Sequence, residues 1–150
     1  MKLNYIIIPL IAFLVATIGS FFTGTGMDWY ETINLPSWTP PGYIIGIVWT
    51  IIFILTAISA LIVWKKPRNW LIIIIFLINA FLNVFWSYLF FNQHLIGAAF
   101  FEAVILDITV FILIFLIWPL SKLASLLLLP YGLWTAFASF LTLVVWFMNK

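Results

Sequence analysis

Five long apolar runs divide this chain, at residues 5–22, 44–64, 70–91, 97–118 and 123–148. Each meets or approaches the roughly 20 residues that a helix needs to cross about 30 Å of hydrocarbon. None shows the period-2 polarity of a membrane-spanning strand. In lipid the backbone must satisfy its own hydrogen bonds within the segment, so each run predicts a helix. Composition removes the water-soluble alternative. Only 7% of the residues are charged and 67% are hydrophobic, whereas a soluble domain carries about a quarter charged residues. The expected fold is an all-α integral membrane protein, one domain over residues 1–150, with five transmembrane helices in the lipid bilayer. The first run exceeds the 7–15 apolar residues of a signal peptide. Its Thr17-Ile18-Gly19-Ser20 stretch offers no Ala-x-Ala cleavage site, so it is read as a retained helix.

The connections are unequal. Residues 23–43 form the one long loop, between helices 1 and 2, with Pro36, Pro40, Pro41, Asp28 and Glu31. The other connections, 65–69, 92–96 and 119–122, are short and force antiparallel neighbours. A single long loop in a compact protein is usually a lid or part of a site. Lys2, Lys65, Lys66, Arg68 and Lys122 fall at one end of the bundle and only Lys150 at the other. Positive charge stays cytoplasmic, so the N-terminus is expected inside and the long loop outside.

Several chemistries are excluded. A net charge of +2 with scattered basic residues gives no phosphate-binding stripe and no nucleic-acid partner. With no cysteine, four acidic residues and one histidine, disulfides and thiolate chemistry are absent and a protein metal site lacks ligands. Glu102 and Asp107 are acids within the fourth helix, and an intramembrane acid is a functional suspect. At 3.6 residues per turn they sit about 140° apart, so they do not form a pair on one face. Glu102 reads as a buried hydrogen-bonding or snorkelling residue near the interface. His94 reads as a loop residue that caps a helix or faces solvent. Asn79, Asn83, Trp86 and Phe90 share one face of the third helix. The two amides suit interhelical hydrogen bonds or a cavity, and both uses are compatible. Small residues at four-residue spacing (Ala12, Ala16, Ser20; Gly42, Gly46; Ala99, Ala103) permit close helix contact within a bundle or between two copies.

The nine tryptophans exceed what interfacial anchoring needs, and their setting is distinctive. The loop and its exit read Trp29-Tyr30, Leu35-Pro36-Ser37-Trp38-Thr39-Pro40-Pro41 and Val48-Trp49-Thr50. Further on come Asn83-Val84-Phe85-Trp86, Phe90-Phe91, His94, Gly97, Glu102, Leu129-Pro130-Tyr131, Trp134, Phe137-Ala138, Trp146 and Asn149. This pattern resembles the TspO/translocator family of tryptophan-rich membrane proteins, from about Trp29 onward. Leu35 stands where the family often has a basic residue, and Thr142 where it often has Asn. The C-terminal end has no Tyr before a basic residue, so the sterol-recognition pattern of animal members is missing.

The resemblance implies a ligand pocket beneath the loop, between the second, third and fifth helices. Ligand contacts would come from Tyr30, Trp38 and Pro41 of the loop, and from Trp49 and Phe53 of the second helix. The third helix would add Asn79, Asn83, Trp86 and Phe90, and the fifth Trp134 and Ala138. The implied ligand is protoporphyrin IX or haem, with no required cofactor. Synthetic isoquinolines or benzodiazepines are implied as further ligands, a homodimer as the assembly, and a bacterial cytoplasmic membrane as the location. The leading functional expectation is tetrapyrrole sensing, transport or regulation. A second is light-dependent porphyrin breakdown with Trp49 and Trp134 as electron donors, since no conventional catalytic motif exists. A third is a small proton-coupled multidrug exporter that uses Glu102 or Asp107. The orientation is open to a direct check, because the chain has no native cysteine. A cysteine placed at Asn34 is expected to react with a membrane-impermeant thiol reagent in intact cells; reaction only after permeabilisation would reverse the topology.

Overall fold

The computed structural model describes residues 3–150, so Lys2 lies outside the described residues. Among the described residues there are seven α-helices: α1 (Asn4–Thr25), α2 (Met27–Tyr30), α3 (Gly42–Trp64), α4 (Trp70–Ser87), α5 (Ile96–Ile117), α6 (Lys122–Leu127) and α7 (Leu129–Met148). Five spans are long and apolar enough to cross a membrane: α1, α3, α4 with its continuation to Asn92, α5, and α6 with α7. The protein is therefore an integral, multi-pass membrane protein. One end of the bundle carries the long connection, and the other carries the 65–69 and 118–121 turns.

Three local details differ from the sequence expectation. The long connection is shorter than residues 23–43, because α1 continues to Thr25 and α2 adds a further helical turn. Apolar character stops near Phe22, but the helix runs on to Thr25, with the Thr23 and Thr25 hydroxyls folded back to donate to the Gly19 and Phe22 carbonyls. The third span ends in a π-helical turn, Tyr88–Asn92, closed by the Gln93 amide on the Tyr88 carbonyl at 3.0 Å. The wider turn lets three consecutive side chains, Leu89, Phe90 and Phe91, all be buried. The fifth span is broken at Leu128, one residue before α7 begins and two before Pro130. A proline is tolerated in the first turn of a helix but cannot extend the one before it.

Helices in lipid gain no hydrophobic drive from meeting each other; packing and hydrogen bonds must hold them. α5 packs most extensively against α7. Gly97 makes that approach possible, since a Cβ there would lie 2.7 Å from the Trp146 ring. Ser59 on α3 donates to the Ala124 carbonyl at 2.7 Å, and Ser125 donates to the Ile114 carbonyl at 2.7 Å, so α6 is fastened to both α3 and α5. The small-residue stripes differ in burial, with Ser20, Gly42 and Gly46 at exposed positions. Ala99 and Ala103 are buried, and Ala12, Ala16, Ser20, Gly42 and Gly46 all line cavities.

The strongest cross-brace is polar. The Tyr131 hydroxyl donates to Asn79 Oδ1 at 2.9 Å and accepts from Asn83 Nδ2 at 3.0 Å. Asn79 Nδ2 donates to Thr109 Oγ1 at 2.8 Å, and Thr109 donates to the Leu106 carbonyl at 2.6 Å. All four side chains are buried. The two amides thus make the interhelical bonds that the sequence allowed, joining α4 to α5 and α7. Tyr131→Phe leaves one buried donor and one buried acceptor unpaired, each costing about 1–3 kcal/mol. Equilibrium unfolding in detergent should show that loss, while Tyr43→Phe, at a position 71% exposed, should leave stability unchanged. Equal stability of the two variants would contradict this account of the brace.

Candidate functional site

Beneath the 26–41 connection lies a cavity of about 460 Å³. Its wall includes Tyr30 from α2, Trp49 and Phe53 from α3, Asn83 and Trp86 from α4, Phe90 from the π-turn, and Trp134 and Ala138 from α7. These eight residues are among those expected from the sequence. Three others sit elsewhere. Asn79 lines a different cavity. Pro41 caps α3, its carbonyl accepting from the Ile44 and Ile45 amides. Trp38 packs outside the lining, stacked on Phe140 at 5.8 Å and edge-on to Phe137 at 6.0 Å. Phe137 itself lines the cavity, so Trp38 supports the wall from behind.

The enclosure is wider than three helices. α1 contributes Ala16, Gly19 and Ser20, and α5 contributes Ala103 and Leu106. From the sequence alone, Ala16, Ser20 and Ala103 read as packing positions. Their four-residue spacing was the available signal, but it does not say whether a small side chain admits a neighbour or leaves a void.

The aromatic lining is itself ordered. Trp86 stacks on Phe90 at 5.0 Å, and Trp49 stacks on Phe53 at 5.6 Å and meets Tyr131 in a T-shaped pair. Tyr30 leans on Phe90 and Phe91. Burial pushes the Tyr30 phenol above its ordinary pKa, so it stays a neutral donor at physiological pH. Trp86 and Trp134 each bury an indole N–H with no hydrogen-bond partner among the described residues. A buried donor left unpaired is uncommon.

The two intramembrane acids separate clearly. Asp107 Oδ1 accepts from Thr135 Oγ1 at 2.6 Å, which supplies the neighbouring-helix partner that sequence could not name. Glu102 is only 5% exposed, and neither of its oxygens has a partner among the described residues. It therefore does not snorkel to the interface: its face of α5, with Ala99, Ala103 and Leu106, is buried in the bundle.

The connection over the cavity is held at several points. Gly26 lies against the Phe91 backbone so closely that a Cβ would fall 2.2 Å from its carbonyl oxygen. The Trp29 ring stacks on His94 at 4.2 Å. His94 is exposed and takes a left-handed backbone, φ 58°, so this loop histidine has a packing partner as well as solvent. Asn149 grips Asn34 from both sides: Asn149 Oδ1 accepts from the Asn34 amide at 2.8 Å, and Asn149 Nδ2 donates to the Asn34 carbonyl at 2.9 Å.

Comparison with known proteins agrees with this architecture. The family model described as TspO/MBR family matches residues 7–147. The chain is 33% identical to the tryptophan-rich protein TspO of Bacillus cereus, over 99% of each chain. It is 39% identical to the membrane protein YtaB of Bacillus subtilis, over 81% of each chain. It is 28% identical to the human translocator protein, over 86% of this chain and 80% of that one.

Asn149→Ala removes both bonds to Asn34, each worth about 0.5–1.5 kcal/mol. Faster amide hydrogen exchange at residues 31–36, with the helices still protected, is the expected result. Exchange there unchanged from wild type would mean that the other contacts alone hold the connection.

Proposed function

Since the chain belongs to the TspO/MBR family, we propose that it binds a tetrapyrrole, protoporphyrin IX or haem, in the cavity beneath the 26–41 connection and acts in porphyrin sensing, transport or regulation. The observation that carries this reading is the cavity's chemistry. Flat aromatic faces from three helices, the π-turn and the Tyr30 phenol surround a volume within the roughly 300–1,000 Å³ of ligand pockets. A porphyrin offers a broad π-face for stacking and acidic edges that accept hydrogen bonds. Trp49, Trp86, Phe90 and Trp134 supply the faces; Tyr30, Asn83 and the two unpaired indole donors supply polarity. The tied connection is the element that would have to yield for a ligand to enter from that end. Isoquinoline or benzodiazepine compounds suit the same apolar, aromatic lining. A homodimer belongs to this reading as well. So does a bacterial cytoplasmic membrane with the connection outside, which Lys65, Lys66, Arg68 and Lys122 at the opposite end support.

Light-dependent porphyrin breakdown is the second reading, supported by Trp49 and Trp134 both lining the one cavity. There an indole would act as electron donor to the photoexcited ring. Exposing a purified complex to light and to darkness separates the two: absorbance lost only in light favours chemistry, and stable absorbance favours binding alone. The exporter reading needs a titrating acid, and Asp107 tests it. Asp107→Asn keeps an acceptor for Thr135, so porphyrin binding should persist; drug efflux by the wild type that vanishes in this variant would favour export instead.

Trp134→Ala removes a stacking surface worth about 0.5–1.5 kcal/mol beyond its area. A several-fold rise in the Kd for protoporphyrin, read by tryptophan fluorescence quenching, is expected. Trp118→Ala, at a half-exposed site outside the cavity, should bind as wild type. The reverse order of effects would place the ligand elsewhere.

A further inference from the structure

A second cavity, of about 500 Å³, lies between α1, α3 and α4 toward the end opposite the long connection. Its body is apolar, with Ile8 and Ile11 of α1, Ala57 and Ala60 of α3 and Phe76 of α4 among its walls. Its deep end is the Asn79–Asn83–Tyr131 cluster, hydrogen-bonded within itself and onward to Thr109. Its mouth is cationic, formed by Lys66 and Arg68 in the turn between α3 and α4. Asn69 also stands there, but its side chain already caps α4 by accepting from the Leu71 and Ile72 amides.

Among the described residues the two cations have no acidic neighbour in the chain. The acidic residues are Asp28, Glu31, Glu102 and Asp107, and none stands in the 65–69 turn or in either helix that it joins. Arg68 is nevertheless held in place. Its guanidinium lies over the Trp64 ring at 5.8 Å and the Trp70 ring at 5.2 Å. The guanidinium is exposed, and its planar N–H fork is the geometry that suits phosphate. The two tryptophans mark the depth of the membrane–water boundary, where aromatic belts sit. An apolar slot that opens between helices below an uncompensated basic rim matches an amphiphile with an acidic head. Basic pockets between transmembrane helices bind anionic lipid headgroups on these grounds.

We propose that this cavity is a binding site for one anionic phospholipid, with its phosphate held by Lys66 and Arg68 and an acyl chain lying between α1, α3 and α4. The site is separate from the aromatic cavity and does not depend on what that cavity binds. Asn83, Phe53 and Val15 touch both, so the two spaces share a wall.

Native mass spectrometry of the purified full chain tests the assignment, in micelles that hold phosphatidylglycerol and phosphatidylcholine in equal amounts. One phosphatidylglycerol should be retained per chain in preference to phosphatidylcholine. Lys66→Gln and Arg68→Gln should each lower that preference about fivefold, the attraction expected of one basic residue at an anionic surface. Both substitutions are at exposed positions, so folding should survive, as circular dichroism will show. Ala60→Phe, and Ala12→Leu on the facing wall, fill the slot and should reduce retention of either lipid. Equal retention of the two lipids by the wild type would overturn the site. So would full retention in a folded filling variant, which would mean a headgroup merely resting on a basic surface. Oleate retained in preference to phosphatidylglycerol would assign the slot to a free carboxylate and overturn the phospholipid.

Discussion

The Tyr131 hydroxyl is the point on which the interior depends. It donates to Asn79, accepts from Asn83 and lies within a run of hydrogen bonds that reaches Thr109 and the α5 backbone. In hydrocarbon no water can replace a lost partner, so each bond fixes the rotation of one helix against another. α4, α5 and α7 are thereby set in register by groups that cannot be satisfied in any slipped arrangement. The brace also partitions the bundle. Asn83 belongs to both cavities, Asn79 to only one, and the aromatic space lies wholly on the side of the 26–41 connection.

That partition gives the two halves different chemistry from similar raw material. On the connection side, Trp49, Trp86, Phe90 and Trp134 line the cavity, and two indole donors, those of Trp86 and Trp134, are without a partner among the described residues. On the other side the walls are mostly apolar, the Asn79–Asn83–Tyr131 cluster closes the deep end and the charge sits at the rim, in Lys66 and Arg68. A rigid aromatic ligand suits the first and a flexible chain with a charged head suits the second. Small residues make both spaces possible: Ala12 borders one, Ala16 and Ser20 the other, along a single face of α1.

The connection that covers the aromatic cavity is held by contacts between residues far apart in sequence. Asn34 and Asn149 are 115 positions apart and exchange two hydrogen bonds. Gly26 sits on the Phe91 backbone, and Trp38 lies on Phe140. The Tyr88–Asn92 π-turn is part of this arrangement, because it carries Phe90 into the cavity wall and Phe91 against both Gly26 and Tyr30. A regular α-helix there would rotate one of those rings away.

How much was legible in advance follows from what hydropathy can report. Chain length in lipid and the need for internal hydrogen bonding determined the five spans, their antiparallel order and the concentration of basic residues at one end, since each depends on residues that are consecutive. The shared face of Asn79, Asn83, Trp86 and Phe90 was equally accessible, because helical period alone fixes it. Tertiary structure decided the rest. It sent Asn79 and Asn83 to one hydroxyl on a helix some 50 residues later, gave Asp107 its Thr135 partner, drew Trp38 behind the wall and buried Glu102 without a partner. Whether a small residue closes a contact or opens a cavity also lay beyond the sequence. The physical reason is common to all of these: a helix's period fixes which residues share a face, but the angle at which that face meets its neighbours is set only when all five helices pack at once.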